Sequence, residues 1–184
     1  MPSAANVNAA SPKTTGIVFF AATGTTLPTD ATTTLAAAFK DCGYISEDGI
    51  SYDNTRDVTE IKEMGGSVVL TIQTSKTDTF KFTMLESLNE NALKVIFGDS
   101  NVAVASDVYT IKSKADQPAR RIWAIDMILS DGRSCRHVIP DGQVSAVDTI
   151  TYSGSDAIKY GVTINCAPDS TGVSVYTYIG AAPA

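Results

Sequence analysis

Thr77 to Asn101 reads TDTFKFTMLESLNENALKVIFGDSN. Its first residues alternate: Phe80, Phe82 and Met84 take one parity and Thr79, Lys81 and Thr83 the other, the pattern of a strand with one covered face. The period then changes. Ser87-Leu88-Asn89-Glu90 has the form of a capping box, Ala92, Val95 and Ile96 follow at helical spacing, and Gly98 supplies a stop. A strand thus runs into a short helix, and nothing in the stretch could carry chemistry.

Working upstream, Val68, Leu70 and Ile72 alternate with Val69, Thr71 and Gln73, and Gly65-Gly66 turns the chain from a strand near Val58–Lys62. Further back, Asp30 or a following Thr can cap a helix that carries Leu35, Phe39 and Cys42 on one face and stops at Gly43. Downstream, RIWAIDMILS (121–130) is apolar on both parities apart from Asp126, which predicts a central strand covered on both sides. Asp131-Gly132 is a hairpin signal leading into Ser134–Ile139, and Pro140-Asp141-Gly142 is a second turn signal. Strands over Val144–Tyr152, Ile158–Cys166 and Val173–Ile179 complete the set. The expected fold is mainly β: an antiparallel sandwich or partly closed barrel, with one or two short α-helices, a long hairpin loop and terminal arms.

The 184 residues suit one domain with arms, and 43% hydrophobic content is enough for a core. Only 18% of residues are charged, below the usual ~25%; Thr, Ser and Ala take their place. The net charge of -6 and pI of 4.6 argue against a phosphate-gripping surface. The chain begins without a basic leader, and the apolar run 17–22 is too short for a signal core or a membrane span, so folding in a cytoplasm is expected. Three cysteines, Cys42, Cys135 and Cys166, cannot all pair within one chain and read as buried reduced thiols.

Residues 1–16 are small and polar and read as an arm that is disordered alone; 17–180 form the domain, and 181–184 a tail. Two segments, 46–66 and 99–120, are long, polar and poor in core residues for a compact monomer. No enzymatic motif is found. His137 is the single histidine, and no nucleophile elbow accompanies it. Cys135 and His137 share a strand parity, but the other cysteines lie far away in sequence and a fourth metal ligand is not evident. No Lys-Ser/Thr follows Gly65-Gly66 or Gly98 to make a phosphate loop. An enzyme is not expected, nor any catalytic, cofactor or metal site.

In order, the chain shows GTTLPTDATTTLAAAFKDCGYISEDGI (24–50), TDTFKFTMLESLNENALKVIFGDSNV (77–102) and IWAIDMILSDGRSCRHVIPDGQVSAVDTITYSGSDAIKYGVTINC (122–166). This series resembles the major tail tube proteins of long-tailed, non-contractile (siphovirus-type) bacteriophages, particularly those of actinobacteria, from about Gly24 to Ile179. The resemblance implies a structural virion protein. Its subunits would form sixfold rings that stack into a hollow tail tube, and genomic DNA would pass through the lumen without specific binding. It implies an inter-ring loop at 46–66, a contact arm at 1–16 and no appended immunoglobulin-like domain. The implied partners are other copies of the chain and the tape-measure, tail-tip initiator and tail terminator proteins, with assembly in the host cytoplasm and no membrane.

Charge is uneven along the chain. Segment 47–63 sets Glu47, Asp48, Asp53, Asp57, Glu60 and Glu63 against Arg56 and Lys62, a net of -4. Segment 112–136 sets Lys112, Lys114, Arg120, Arg121, Arg133 and Arg136 against three aspartates, a net of +3. The plain reading is two solvated faces, since surface ion pairs contribute only ~0–1 kcal/mol each. The alternative is that the segments meet between subunits and fix their register. Two other classes stay open: a monomeric β-sandwich binding module of carbohydrate-binding or adhesin type, and a tube protein of a contractile tail or type VI secretion system.

Overall fold

A computed structural model of the chain describes residues 2–13 and 15–181. Along them run β1 (Ala10–Pro12), β2 (Val18–Ala22), β3 (Lys40–Asp41), β4 (Ile45–Lys62), β5 (Val68–Met84), α1 (Glu90–Phe97), β6 (Val102–Ala105), β7 (Val108–Ile111), β8 (Arg121–Leu129), β9 (Ser134–Val147), β10 (Tyr160–Ala167) and β11 (Tyr176–Ile179). Nine strands share one sheet with the main order β3-β2-β8-β9-β10-β5-β4, β1 also pairing with β8 and β11 with β9. Every pairing is antiparallel, and β6 and β7 form a hairpin of their own. The chain is mainly β, as expected. Of the architectures left open, closure into a barrel does not occur: the path ends at β3 on one side and β4 on the other.

The alternations place the core. Phe80, Phe82 and Met84 are buried with Tyr160, Val162 and Ile164 of the neighbouring β10, and Trp123, Ile125 and Ile139 join them across the sheet. Helix α1 covers this face through Ala92, Leu93 and Val95. Strand β8 is central and covered on both sides, as its run of apolar residues on both parities predicted: Ile122 and Ala124, of the other parity, pack with Ala21 and Phe39. Asp131-Gly132 makes the expected tight turn, Gly132 at φ 84° and its N–H donating to the Leu129 carbonyl.

Four local expectations are corrected. Residues 30–42 are not helical. The Asp30 carboxylate does accept the N–H groups of Thr32 and Thr33 (2.7 and 2.6 Å), but the turn goes no further. The run of β-branched threonines is a poor helix former. The Arg136 guanidinium also donates to the carbonyls of Asp30 and Thr33 (3.0 and 2.9 Å), acceptors that a helix would use for itself. Leu35 and Phe39 still reach an apolar cluster, from a loop.

The α1 cap is Asn89 rather than Ser87: its side chain accepts from Asn91 and Ala92 N–H. Pro140-Asp141-Gly142 does not turn the chain; β9 runs through it, with a register shift opposite Arg121–Trp123. A Cβ on Gly142 would stand 2.6 Å from Trp123 Cδ1, and the Trp123 indole N–H donates to the Gly142 carbonyl at 3.2 Å. Proline at a bulge and glycine under a close indole account for the motif without a turn. The strand expected over Val144–Tyr152 ends with β9 at Val147.

The N-terminal segment, expected to be disordered alone, is tied to the body: Ala10, Ser11 and Pro12 pair with Leu129, Ile128 and Met127. Met1 and Thr14 of that arm, and 182–184 of the tail, lie outside the described residues. Within 99–120, β6 and β7 make a small hairpin whose turn residues Ser106 and Asp107 take φ 50° and 60°.

Candidate functional site

Among the described residues, chemistry-bearing side chains do not converge. Cys42, Cys135 and Cys166 are free and buried, and burial raises the Cys166 thiol pKa to about 12. Cys135 and His137 share a face, Sγ 4.0 Å from Nε2, but among the described residues no group of three His, Cys, Asp or Glu could hold a metal. The sites worth building are surfaces.

The most distinctive is the β4–β5 hairpin. Residues expected to form a loop at 46–66 are its outgoing strand and turn. Glu63 and Ser67 close the turn, N–H to carbonyl at 2.9 Å, with Gly66 at φ 90°. At its base the hairpin belongs to the core, with Ile50 opposite Phe82 and Tyr52 opposite Phe80. From Asp53 to Thr77 every side chain is exposed.

Strand β4 alternates without a register break from Ile50 to Asp57. The shifts after Asp57 and after Ile61 each leave an extra residue on β5. The distal pairs Thr59–Ile72 and Ile61–Leu70 therefore lie on the face opposite to Ile50–Phe82. Val58, Ile61, Met64, Val68, Val69, Leu70 and Ile72 are 45–106% exposed, a concentration of bare apolar side chains that a lone soluble chain seldom carries.

A polar clamp holds the hairpin at its base. The Asp78 carboxylate, 1% exposed, accepts from Tyr52 Oη (2.8 Å), Asn54 Nδ2 (2.5 Å) and Lys76 Nζ (2.5 Å). Burial pushes its pKa up, but these donors together outweigh burial and hold it below the ordinary value. Tyr52 also stacks on Phe80, ring centroids 4.6 Å apart.

The twelve charged residues picked out from the sequence divide in two. Glu47, Asp48, Asp53, Asp57, Glu60 and Glu63 are all exposed along β4 and its turn, and Lys112, Lys114, Arg120 and Arg133 are exposed elsewhere. Arg120 pairs with Asp141 and Arg133 with Asp131. Arg121 and Arg136 are buried and committed within the chain. Arg121 bonds Asp99 at 2.9 Å and lies over the Phe20 ring, 4.4 Å from its centroid. Arg136 grips Asp126 by Nε (2.5 Å) and Nη2 (2.7 Å), and Lys13 approaches the same carboxylate at 3.6 Å. The chain does not bring the acidic and basic sets into ion pairs with each other among the described residues. Sequence reasoning missed the apolar side chains of the distal hairpin, although the alternation of Val68, Leu70 and Ile72 was the signal for them. It also missed Asp78, which nothing local marks as buried.

Comparison with known proteins gives one family match: the model described as "Phage tail tube protein" covers residues 3–184. No curated protein matches. Among solved structures, the chain is similar to the anti-feeding prophage cap (AFP tube terminating cap), at 10% identity and TM-score 0.48, over 98% of this chain and 100% of that one. It is similar to a chain of the PVC extracellular contractile injection system sheath-tube complex in the extended state, at 8% identity and TM-score 0.45, over 91% and 90%. It is also similar to a chain of the native gene transfer agent virion, at 8% identity and TM-score 0.43, over 93% and 100%.

Proposed function

Since the chain belongs to the phage tail tube protein family, we propose that it is the major tube subunit of a long, non-contractile tail, with sixfold rings stacking into a hollow conduit for DNA. The observation that carries this reading is the bare β4–β5 hairpin. Its exposed apolar side chains on two long strands make sense when other copies cover them. The role is structural rather than catalytic. The order of motifs quoted above supports a siphovirus-type tail. Initiator, tape-measure and terminator proteins then set where the tube starts and how long it grows.

The acidic balance suits a conduit. At -6 per chain, six copies would carry -36. Phosphates passing a weakly charged or acidic wall are repelled within a screening length of ~8–10 Å at physiological salt and stay mobile. The test is electron microscopy of the concentrated full-length protein, alone and with a purified tail-tip complex. Stacked hollow sixfold rings are expected. A chain that stays monomeric with the tail-tip complex present overturns the reading in favour of a binding module, and rings of another symmetry overturn the sixfold part.

A further inference from the structure

We propose that the cleft at the C-terminal end of α1 binds a small aliphatic amine in its ammonium form. This goes beyond the tube reading and does not depend on it. The cleft has a volume of about 420 Å³ and lies between the last turn of the helix and the 113–119 segment. Asn101 stands in its wall.

Asn101 is the residue that points to a ligand. It is only 3% exposed. Its backbone N–H donates to the Gly98 carbonyl (3.1 Å), and its carbonyl accepts from the Lys112 N–H (2.8 Å). Its Nδ2 donates to the Phe97 carbonyl (2.8 Å) and to Asp116 (3.4 Å). Two acceptors on Nδ2 fix which way the amide lies. That leaves Oδ1 buried with no donor, and a buried acceptor left unpaired is costly.

The surroundings select the donor. Asp99 and Asp116 both line the cleft, against Lys114 alone. Asp99 gives one oxygen to Arg121 at 2.9 Å, whereas Asp116 is exposed and has no ion-pair partner among the described residues. The end of the helix adds partial negative charge. A cation is therefore favoured over an anion. The remaining wall is apolar: Ile96, Phe97 and Ile150 are half-buried there and Val147 is exposed. A metal ion suits such a wall poorly. It would have two carboxylates, no group of three His, Cys, Asp or Glu among the described residues, and hydrocarbon where its other oxygen ligands belong. A primary alkylammonium answers each feature. Its three N–H donors serve Asn101 Oδ1 and the Asp116 carboxylate, and its alkyl chain lies along the apolar wall.

The experiment titrates the full-length protein with butylamine at low salt by calorimetry, and follows the Asn101 side-chain amide by NMR on isotope-labelled protein. Butanol, ammonium chloride and calcium chloride are the comparisons. Saturable binding of butylamine is expected, with the Asn101 amide signals shifting in step. Ammonium chloride should bind at least about tenfold more weakly, because it buries no hydrocarbon. Butanol should not bind. Asp116 is exposed, so Asp116→Asn tests the site without disturbing the core; it should weaken butylamine about tenfold. Lys114→Ala removes a competing positive charge and should tighten binding about threefold. No saturable binding at about 10 mM butylamine overturns the proposal. So does calcium binding more tightly than butylamine, which would make the cleft a metal site, or an Asp116→Asn chain that binds as the parent does. None of these results bears on whether the chain forms tubes.

Discussion

Strand β5 holds two halves of the same alternating pattern and opposite fate. Val68, Leu70 and Ile72 alternate as regularly as Phe80, Phe82 and Met84, yet the first three are about half exposed and the last three are buried. The difference lies in what stands alongside. From Asp78 onward β5 pairs with β10 on one side and β4 on the other, whereas before it β4 is its only neighbour among the described residues. Alternating apolar residues state that a face will be covered. They do not state whether the same chain covers it. In the proximal half the chain's own core does so; in the distal half no part of the chain among the described residues does.

Substitutions that separate the two halves give the sharpest tests, the largest first. Trp123 is fully buried, packed with Phe20 and Phe82, and bonded through its indole to Gly142. Trp123→Ala should lower unfolding free energy by about 3–5 kcal/mol, read from urea denaturation of the monomer. A change no larger than that of a surface variant would deny that this face is the organising core. Next, Arg136→Ala leaves the buried Asp126 carboxylate with only Lys13, at 3.6 Å, and releases the carbonyls of Asp30 and Thr33. A loss of about 3–5 kcal/mol is expected from breaking a buried pair on one side only. Hydrogen exchange should also show faster opening of residues 30–39. If those amides are unaffected, the arginine does not hold that loop.

The same contrast explains what could be read from the residues. Where the cause of an element is local, the reading holds: the Phe80 alternation, the Glu90–Phe97 helix with its glycine stop, the Asp131-Gly132 turn, and the two-sided apolar strand at 121–129. Where the cause is remote, it fails. Leu35, Phe39 and Cys42 have helical spacing, but Arg136 takes the carbonyls that would close the first turns. Pro140-Asp141-Gly142 has turn chemistry, but the Trp123 indole needs a glycine there within a continuing strand. For the candidate surface, sign alone selected Arg121 and Arg136 together with Lys112 and Lys114. Burial of the arginines against Asp99 and Asp126 separates them, and that depends on residues far along the chain. The face of the hairpin that carries Ile61 and Leu70 depends on bulges that no alternation rule announces.

A change in the distal half should act on assembly and hardly on folding. Ile61 and Leu70 face each other across the strands at 45% and 50% exposure. Replacing both by Ser removes one cross-strand apolar pair, which should cost at most about 1 kcal/mol of monomer stability. Tube formation, followed by light scattering and microscopy, should be lost. If Ile61→Ser with Leu70→Ser destabilises the monomer as much as Trp123→Ala does, the hairpin is part of the folding core and the contrast fails. If tubes form at the parental rate, no neighbour covers this face.

The smallest expected effect concerns His137, which sits where the two halves join. The rings of Tyr52 and Phe80 stand 6.3 and 5.6 Å from its imidazole, Thr177 Oγ1 lies 2.9 Å from Nδ1, and Cys135 Sγ lies near Nε2. Burial lowers its pKa from the ordinary 6.5, so the neutral ring is favoured in the folded chain. As pH falls, the unfolded chain takes up this proton first. The contribution to stability is therefore complete above 6.5 and is lost as pH falls from there toward the folded value. Asp78, lowered from 3.8, acts in a separate window: its contribution is present above 3.8 and lost below it. His137→Asn should flatten the dependence of unfolding free energy on pH just below 6.5 and leave the acid limb unchanged. Equal slopes in the parent and the variant through that window would show that the ring is as well hydrated folded as unfolded, and that the base of the hairpin is more open than the packing of Tyr52 on Phe80 implies.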